Sequence, residues 1–426
     1  MSASTMDSPQ SADTQVAPPR AEDFNMLSPE FRANPYPYYA ALRRDSPIHP
    51  LMPGAPLYAI TRHADVVHIL HNPEQFSSSA LQAALQGGGS RLGPNTGSLA
   101  GHRLLESPMM IATDPPDHGR LRRLVNRGFT PRRIADLEPR IREIANQCLD
   151  EAISDGELDL VRGYSIPLPV TVIAELLGVE SGLVDQFKAW SDAFVIGLSG
   201  VAGQYSPDDV RLAADEMADY FGKIADERRA DPKDDLISVL VQAEEGDSLS
   251  KGELMSFVAL LLIAGNETTT NLIGNGVKAL LAHPDQLARV MADPKLVPAL
   301  VDEVLRYDSP IQALPRSNAN EVELPSGTVP AGSTLLVFYA AANHDEEHFP
   351  DAEAFDIDRA AQEHLAFSHG IHYCLGASLA RLEARVAFET LFERCRKMEL
   401  LGDSIPMVDS AVLRGPKSLR LRVELA

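Results

Sequence analysis

Ser250-Lys-Gly-Glu253 is a capping box, and the next proline is Pro284. The spacing predicts one unbroken helix from about Ser250 to His283. At about 1.5 Å per residue such a helix is close to about 50 Å long. A rod of that length crosses a whole domain, so the rest of the chain has to be wrapped around it. Its middle is chemically odd, because the apolar turn Leu260-Leu-Leu-Ile-Ala-Gly runs into Asn266-Glu-Thr-Thr-Thr. A carboxylate and several hydroxyls in a buried helix cost stability unless they are paired or used. Gly265 costs up to about 1 kcal/mol against Ala in a helix interior. A polar turn facing solvent would explain the pattern, and so would a functional site.

With 38 basic and 60 acidic side chains, the 426-residue chain carries a formal charge of −22. That balance argues against nucleic acid and anionic membranes as general partners. The three cysteines, Cys148, Cys374 and Cys395, are too few and too odd in number for a disulfide framework. They suit a reducing, cytoplasmic setting. The apolar run Phe257 to Gly265 is about half of what a spanning helix needs. Residues 1–22, rich in Ser, Ala, Pro, Asp and Gln, read as a disordered tail without an apolar leader, followed by a single domain over 23–426.

Short helices are expected after Asn34-Pro-Tyr-Pro and over Ala64 to His71, with a strand at Pro56-Leu-Tyr-Ala-Ile-Thr between them. Residues 77–112, with the run Gly87-Gly-Gly and Pro94, form an irregular stretch of the length used for lids and binding loops. Asp114-Pro-Pro-Asp-His-Gly-Arg opens a helix on which His118 and Arg122 share one face. Six arginines and no carboxylate lie between Gly119 and Arg133. From about Arg133 to Ala282 the pattern is mainly helical, with Cys148 and Trp190 read as packing residues. After Tyr307 short β-like runs appear, among them Thr334-Leu-Leu-Val-Phe and Leu419-Arg-Leu-Arg-Val-Glu.

Phe367-Ser-His-Gly-Ile-His-Tyr-Cys-Leu-Gly is turn-rich and leads into an amphipathic helix marked by Leu375, Leu379, Leu382 and Val386. A helix starting at about Leu375 places the Cys374 sulfur at its N-terminus, where a thiolate is favoured. Cys374 could equally be a small buried hydrophobe. His369, His372 and Cys374 could form part of a zinc site, although no second ligand cluster matches.

The constellation Phe-x-x-Gly-x-His-x-Cys-x-Gly with Leu-Ala-Arg after it resembles the haem-ligand loop of the cytochrome P-450 family. Ser368 departs from it, since the family usually has Gly there. Ala264-Gly-Asn-Glu-Thr268 resembles the family's motif in the long helix, and Glu303-Val-Leu-Arg306 its structural Glu-x-x-Arg pair. The resemblance covers about Phe24 to Ala426. It implies a mainly α fold, an α-rich prism with a small β-rich region, holding one haem b. Cys374 would be the metal ligand, and His118, Arg122, Arg316 and His372 would contact the propionates. The small residues Ala264 and Gly265 would leave room for dioxygen and substrate. Glu267 and Thr268 would relay protons, with Leu261, Ala264, Ala313, Leu314 and Leu413 lining the substrate pocket. The usual third arginine of the Glu303–Arg306 network would precede Phe355; Ala354 stands there, so that triad is expected to be incomplete.

The implied activity is oxygenation of a small to medium apolar molecule of fatty acid, terpenoid, steroid or polyketide type. The implied partners are a ferredoxin and its NAD(P)H-dependent reductase, with the chain acting as a monomer. A peroxide-driven hydroxylase, a haem-binding carrier or sensor, and a zinc or purely structural protein are the rival readings.

Overall fold

The computed structural model describes residues 18–85, 99, 101–199, 206–242, 248–359 and 361–426. The Gly87-Gly-Gly run and Pro94 lie outside them, as does most of the stretch assigned to the tail. Ala21 does not: it is buried in a cluster with Met26, Phe31 and Tyr39. Arg20 begins a short capped turn at Ala21–Asp23, so the packed chain starts a few residues before the boundary drawn from composition. Ala21 and Met26, five residues apart, pack into the same cluster although their neighbours in the chain are polar.

The long helix runs from Lys251 to Ala282, with Ser250 accepting from the Glu253 N–H and Glu253 closing the box. It is buried along most of its length because other helices surround it. Pro167–Leu176 packs along it, as do Val297–Tyr307 and Ala377–Arg394. Its polar turn is not a solvent face. Asn266 Nδ2 donates to Ser191 Oγ at 2.8 Å, and Thr270 Oγ1 donates to the Ser165 carbonyl at 2.9 Å. A Cβ on Gly265 would overlap the Ile173 side chain, so this glycine lets two helices approach closely. That packing role stands beside the one expected from sequence.

Two helices, Val184–Ser199 and Pro207–Ala230, lie antiparallel over this frame. Phe187 meets Phe221 edge to face at 6.2 Å, and Trp190 packs on Tyr220 while its Nε1 donates to Glu216 at 2.8 Å. The β-rich region holds a four-stranded sheet in the order Ile48–Pro50, Leu57–Ile60, Thr334–Val337, Leu314–Ser317. Leu57–Ile60 runs parallel to Thr334–Val337, pairing Leu57 with Thr334, and the other neighbours are antiparallel. Glu157–Asp159, Arg420–Leu425 and Cys395–Leu400 make a second sheet, and Val322–Leu324 with Gly327–Val329 a hairpin. No helix among the described residues is long and apolar enough to cross a membrane.

Glu303 and Arg306 are fully buried and paired through two hydrogen bonds of 2.8 Å. Arg306 also donates to the carbonyls of Asn343, Ala352 and Ala354. The network does have a third arginine: Arg359 Nε lies 3.5 Å from Glu303 Oε1. It sits four residues after Phe355 rather than just before it, which corrects the expectation of an incomplete triad. Removing either member of such a buried pair leaves an uncompensated charge, at a cost of about 3–5 kcal/mol.

Candidate active site

The Cys374 loop is shaped by its hydrogen bonds. Cys374 N–H donates to the Phe367 carbonyl at 2.9 Å, which folds residues 367–374 into a compact bulge. Gly370 takes φ +67°, and a Cβ there would run into the Leu70 carbonyl, so only glycine fits. Ser368 holds φ +60°, a conformation that strains any residue with a Cβ, and its Oγ is buried without a partner. The following helix begins at Ala377 with Gly376 as N-cap, two residues later than the apolar spacing suggested. This changes the electrostatics. Burial pushes the Cys374 thiol up, against the Gly376 N–H and the charges of Arg122 and Arg381, which act the other way.

Facing this loop is a cavity lined mostly by apolar side chains, with a few basic groups among them. Its two ends differ. Leu260, Leu261, Ile173, Leu176 and Phe257 make an apolar wall next to Ala264 and Gly265. At the other end His118, Arg122, Arg316 and His372 converge with Cys374 between them. The His118 and His372 rings are 4.3 Å apart. Burial, Arg316 and His118 push His372 down to about 3, and burial together with Arg122 lowers His118.

These basic groups have almost nothing to bind within the protein. Arg122 meets only Asn126 Oδ1 at 3.1 Å, and Arg316 donates to the adjacent Pro315 carbonyl at 2.8 Å. His372 Nε2 is 2.9 Å from Ser78 Oγ, and the His118 Nε2 is buried without a partner. Among the described residues neither arginine has an ion-pair partner. Such a cluster is built for an anion that comes from outside the chain. Haem b fits the donor set: a soft sulfur for its iron, and four basic groups for its two carboxylates. The zinc reading finds no support, because His369 turns away to His71, 3.2 Å from it, while His372 faces His118. No group of three or more metal-binding side chains exists among the described residues.

Thr268 lines the cavity, and its Oγ1 donates to the Ala264 carbonyl at 2.6 Å. Glu267, one residue earlier, does not line the cavity. Burial and the neighbouring Asp192 raise its carboxyl to about 7. Of the expected pocket residues, Leu261, Ala264 and Leu314 line the cavity; Ala313 and Leu413 do not. Alternation along the strand explains the first, since Leu314 and Arg316 face the cavity with Pro315 between them. Ala313 points the other way, into the cluster of Phe31, Tyr39 and Phe338. Leu413 bridges Ile311 and lines a separate small crevice with Phe31 and Met407.

Sequence reasoning missed Thr269, Tyr339 and Glu383 in the cavity wall. Glu383 is fully buried, and burial raises its carboxyl to about 8. It lies four residues after Leu379, on the buried face of that helix, and a carboxylate inside an apolar stripe was the available signal.

The cytochrome P450 family model matches residues 206–423. The chain is 42% identical over 401 residues to the vitamin D(3) 25-hydroxylase of Pseudonocardia autotrophica, over 92% of this chain and 95% of the relative. It is 40% identical over 421 residues to the cytochrome P450 monooxygenase PikC of Streptomyces venezuelae, over 96% and 95% of the two chains. The solved structure of CYP109E1 from Bacillus megaterium in complex with testosterone matches with a TM-score of 0.80 at 36% identity, over 91% of this chain and 99% of that one. A cavity walled by a cysteine loop, a basic cluster and an acid–threonine helix, in a chain with these relatives along nearly its whole length, belongs to the cytochrome P450 family of haem b monooxygenases.

Proposed function

We propose that this chain hydroxylates or epoxidises a small to medium apolar molecule, using dioxygen and two electrons from a ferredoxin, with steroid-like and secosteroid-like skeletons as the first candidates. The observation that carries the reading is the division of one cavity into a basic, sulfur-bearing end and an apolar end. Haem b bound at the basic end supplies the activation of dioxygen. Cys374 would hold its iron, and His118, Arg122, Arg316 and His372 its carboxylates. Thr268 would pass protons from a hydroxyl already oriented by the Ala264 carbonyl, and Glu267 would supply them. Leu260, Leu261, Ile173 and Leu314 would exclude water and hold the reacting bond in place. All of these groups come from one chain, so a monomer suffices. Cys148 and Cys395 are free and buried, as suits a cytoplasmic protein.

The names of the vitamin D(3) hydroxylase and the testosterone complex motivate the skeletons chosen. Vitamin D3, testosterone, a macrolactone and a fatty acid should be titrated into the haem-loaded protein while its Soret band is followed, with product masses then measured. A band shift and a product heavier by one oxygen are expected with the rigid polycyclic ligands. A shift with the fatty acid alone would overturn the substrate class, and turnover with peroxide but not with ferredoxin would favour the peroxide-driven reading.

The arginine-rich segment would dock the acidic electron donor. Arg120 pairs with Glu253 and so belongs to the fold. Arg123, Arg127 and Arg132 are solvent-exposed on the stretch that carries His118 and Arg122. Charge reversal at Arg123 or Arg127 should raise the apparent KM for ferredoxin several-fold at low salt and leave peroxide-driven turnover unchanged. Ferredoxin kinetics identical to wild type in both variants would remove this segment from the docking surface.

A further inference from the structure

The Cys374 loop is seated on the end of another helix. His63–His71 stops at Asn72, and the Leu70 carbonyl of its last turn lies against Gly370, which has no Cβ to hold it off. At the outer edge of this contact two imidazoles meet. His71 Nε2 is 3.2 Å from His369 Nδ1, with the ring centroids 5.3 Å apart. His71 is exposed and His369 half-buried, and neither lines the cavity that takes haem and substrate. Among the described residues these two nitrogens have no hydrogen-bond partner but each other.

We propose that His71 and His369 form a site for one late first-row divalent cation (zinc, nickel or copper), and that the bound cation clamps the Cys374 loop to the helix His63–His71. Spacing is the first argument. Two nitrogens, each about 2.0–2.1 Å from a tetrahedral zinc, are about 3.3 Å apart, close to what the two rings already hold. Protonation permits it as well. A neutral imidazole carries one proton and can hold it on either nitrogen. The ring that donates across the gap moves its proton to its other nitrogen, which leaves two lone pairs for the metal and releases no proton. Imidazole suits these cations, whereas magnesium and calcium take oxygen. The carbonyl end of the helix also favours positive charge.

No third histidine, cysteine or carboxylate joins the pair among the described residues, so water fills the remaining positions. The site is open and exchangeable, unlike a structural zinc site closed by four protein ligands. Its grip on the loop follows from the backbone. Tyr373 N–H donates to the Gly370 carbonyl at 3.2 Å and Cys374 N–H to the Phe367 carbonyl at 2.9 Å, so residues 367–374 move together with His369. A cation that binds only this packed arrangement stabilises it by mass action.

The experiment titrates zinc into the haem-loaded full chain by calorimetry, beside His71→Gln, His71→Ala and His348→Ala. His71→Gln keeps a side chain that can hydrogen-bond His369 and removes only the imidazole, so the reduced carbon monoxide band should be unchanged. The wild type should bind one zinc at the pair, and absorption at the zinc edge should show two imidazoles. Both His71 variants should weaken this binding by about tenfold or more. His348→Ala should bind as the wild type does, although it removes the imidazole 3.2 Å from the Glu363 carboxylate, the best alternative pair of zinc ligands. One equivalent of zinc should also slow haem transfer to apomyoglobin several-fold in the wild type and not in His71→Gln. Zinc affinity unchanged in both His71 variants, or lost in His348→Ala, would overturn the site. Haem transfer at the same rate with and without zinc would overturn the clamp.

Discussion

Cys374→Ser is expected to abolish the reduced carbon monoxide band from which the family takes its name, together with all monooxygenase turnover. A serine oxygen is a harder and less electron-rich ligand than sulfur, so the spectral signature of thiolate ligation is lost even where haem is retained. The basic cluster is untouched by this substitution, so some haem should remain bound through its carboxylates. Cys148 and Cys395 provide the controls. Both are buried, with burial raising both thiols, and neither lines the cavity. Cys148→Ser and Cys395→Ser should keep the band at full intensity per haem. Difference spectra of the three variants with dithionite and carbon monoxide decide the matter: a band that survives Cys374→Ser would remove the ligand assignment.

Thr268→Ala is expected to leave haem content and substrate affinity close to wild type and to lower product per NAD(P)H several-fold, with the missing electrons recovered as hydrogen peroxide. The hydroxyl belongs to a residue of the cavity wall, and the Ala264 carbonyl fixes its direction. Without it, protons arrive unguided and dioxygen leaves as peroxide before it is split. Thr268→Ser, which keeps the oxygen, should recover most of the coupling. Parallel assays of cofactor oxidation, peroxide and product check this, and wild-type coupling in the alanine variant would assign proton delivery to another group. Thr269, next in line on the cavity wall, is the first alternative.

Local patterns alone determined a good deal. The capping box at Ser250 and the break at Pro284 fixed the long helix to within a residue, because caps and prolines act on the backbone wherever the chain sits. Cys374, His118, Arg122, Arg316 and His372 come from three separate segments, and their motif positions did bring them to one cavity.

Only the tertiary structure decided what each group faces. Alternation along a strand sent Ala313 into the apolar cluster while Leu314 and Arg316 reached the cavity. Arg359 joined the Glu303–Arg306 pair from a position that the expected spacing passed over, because the turns after Phe355 bring it back onto Glu303. The helix after Cys374 starts two residues further on than the apolar spacing suggests, and burial raises the Cys374 thiol against the opposing effect of the Gly376 N–H, a balance that only the packed chain decides.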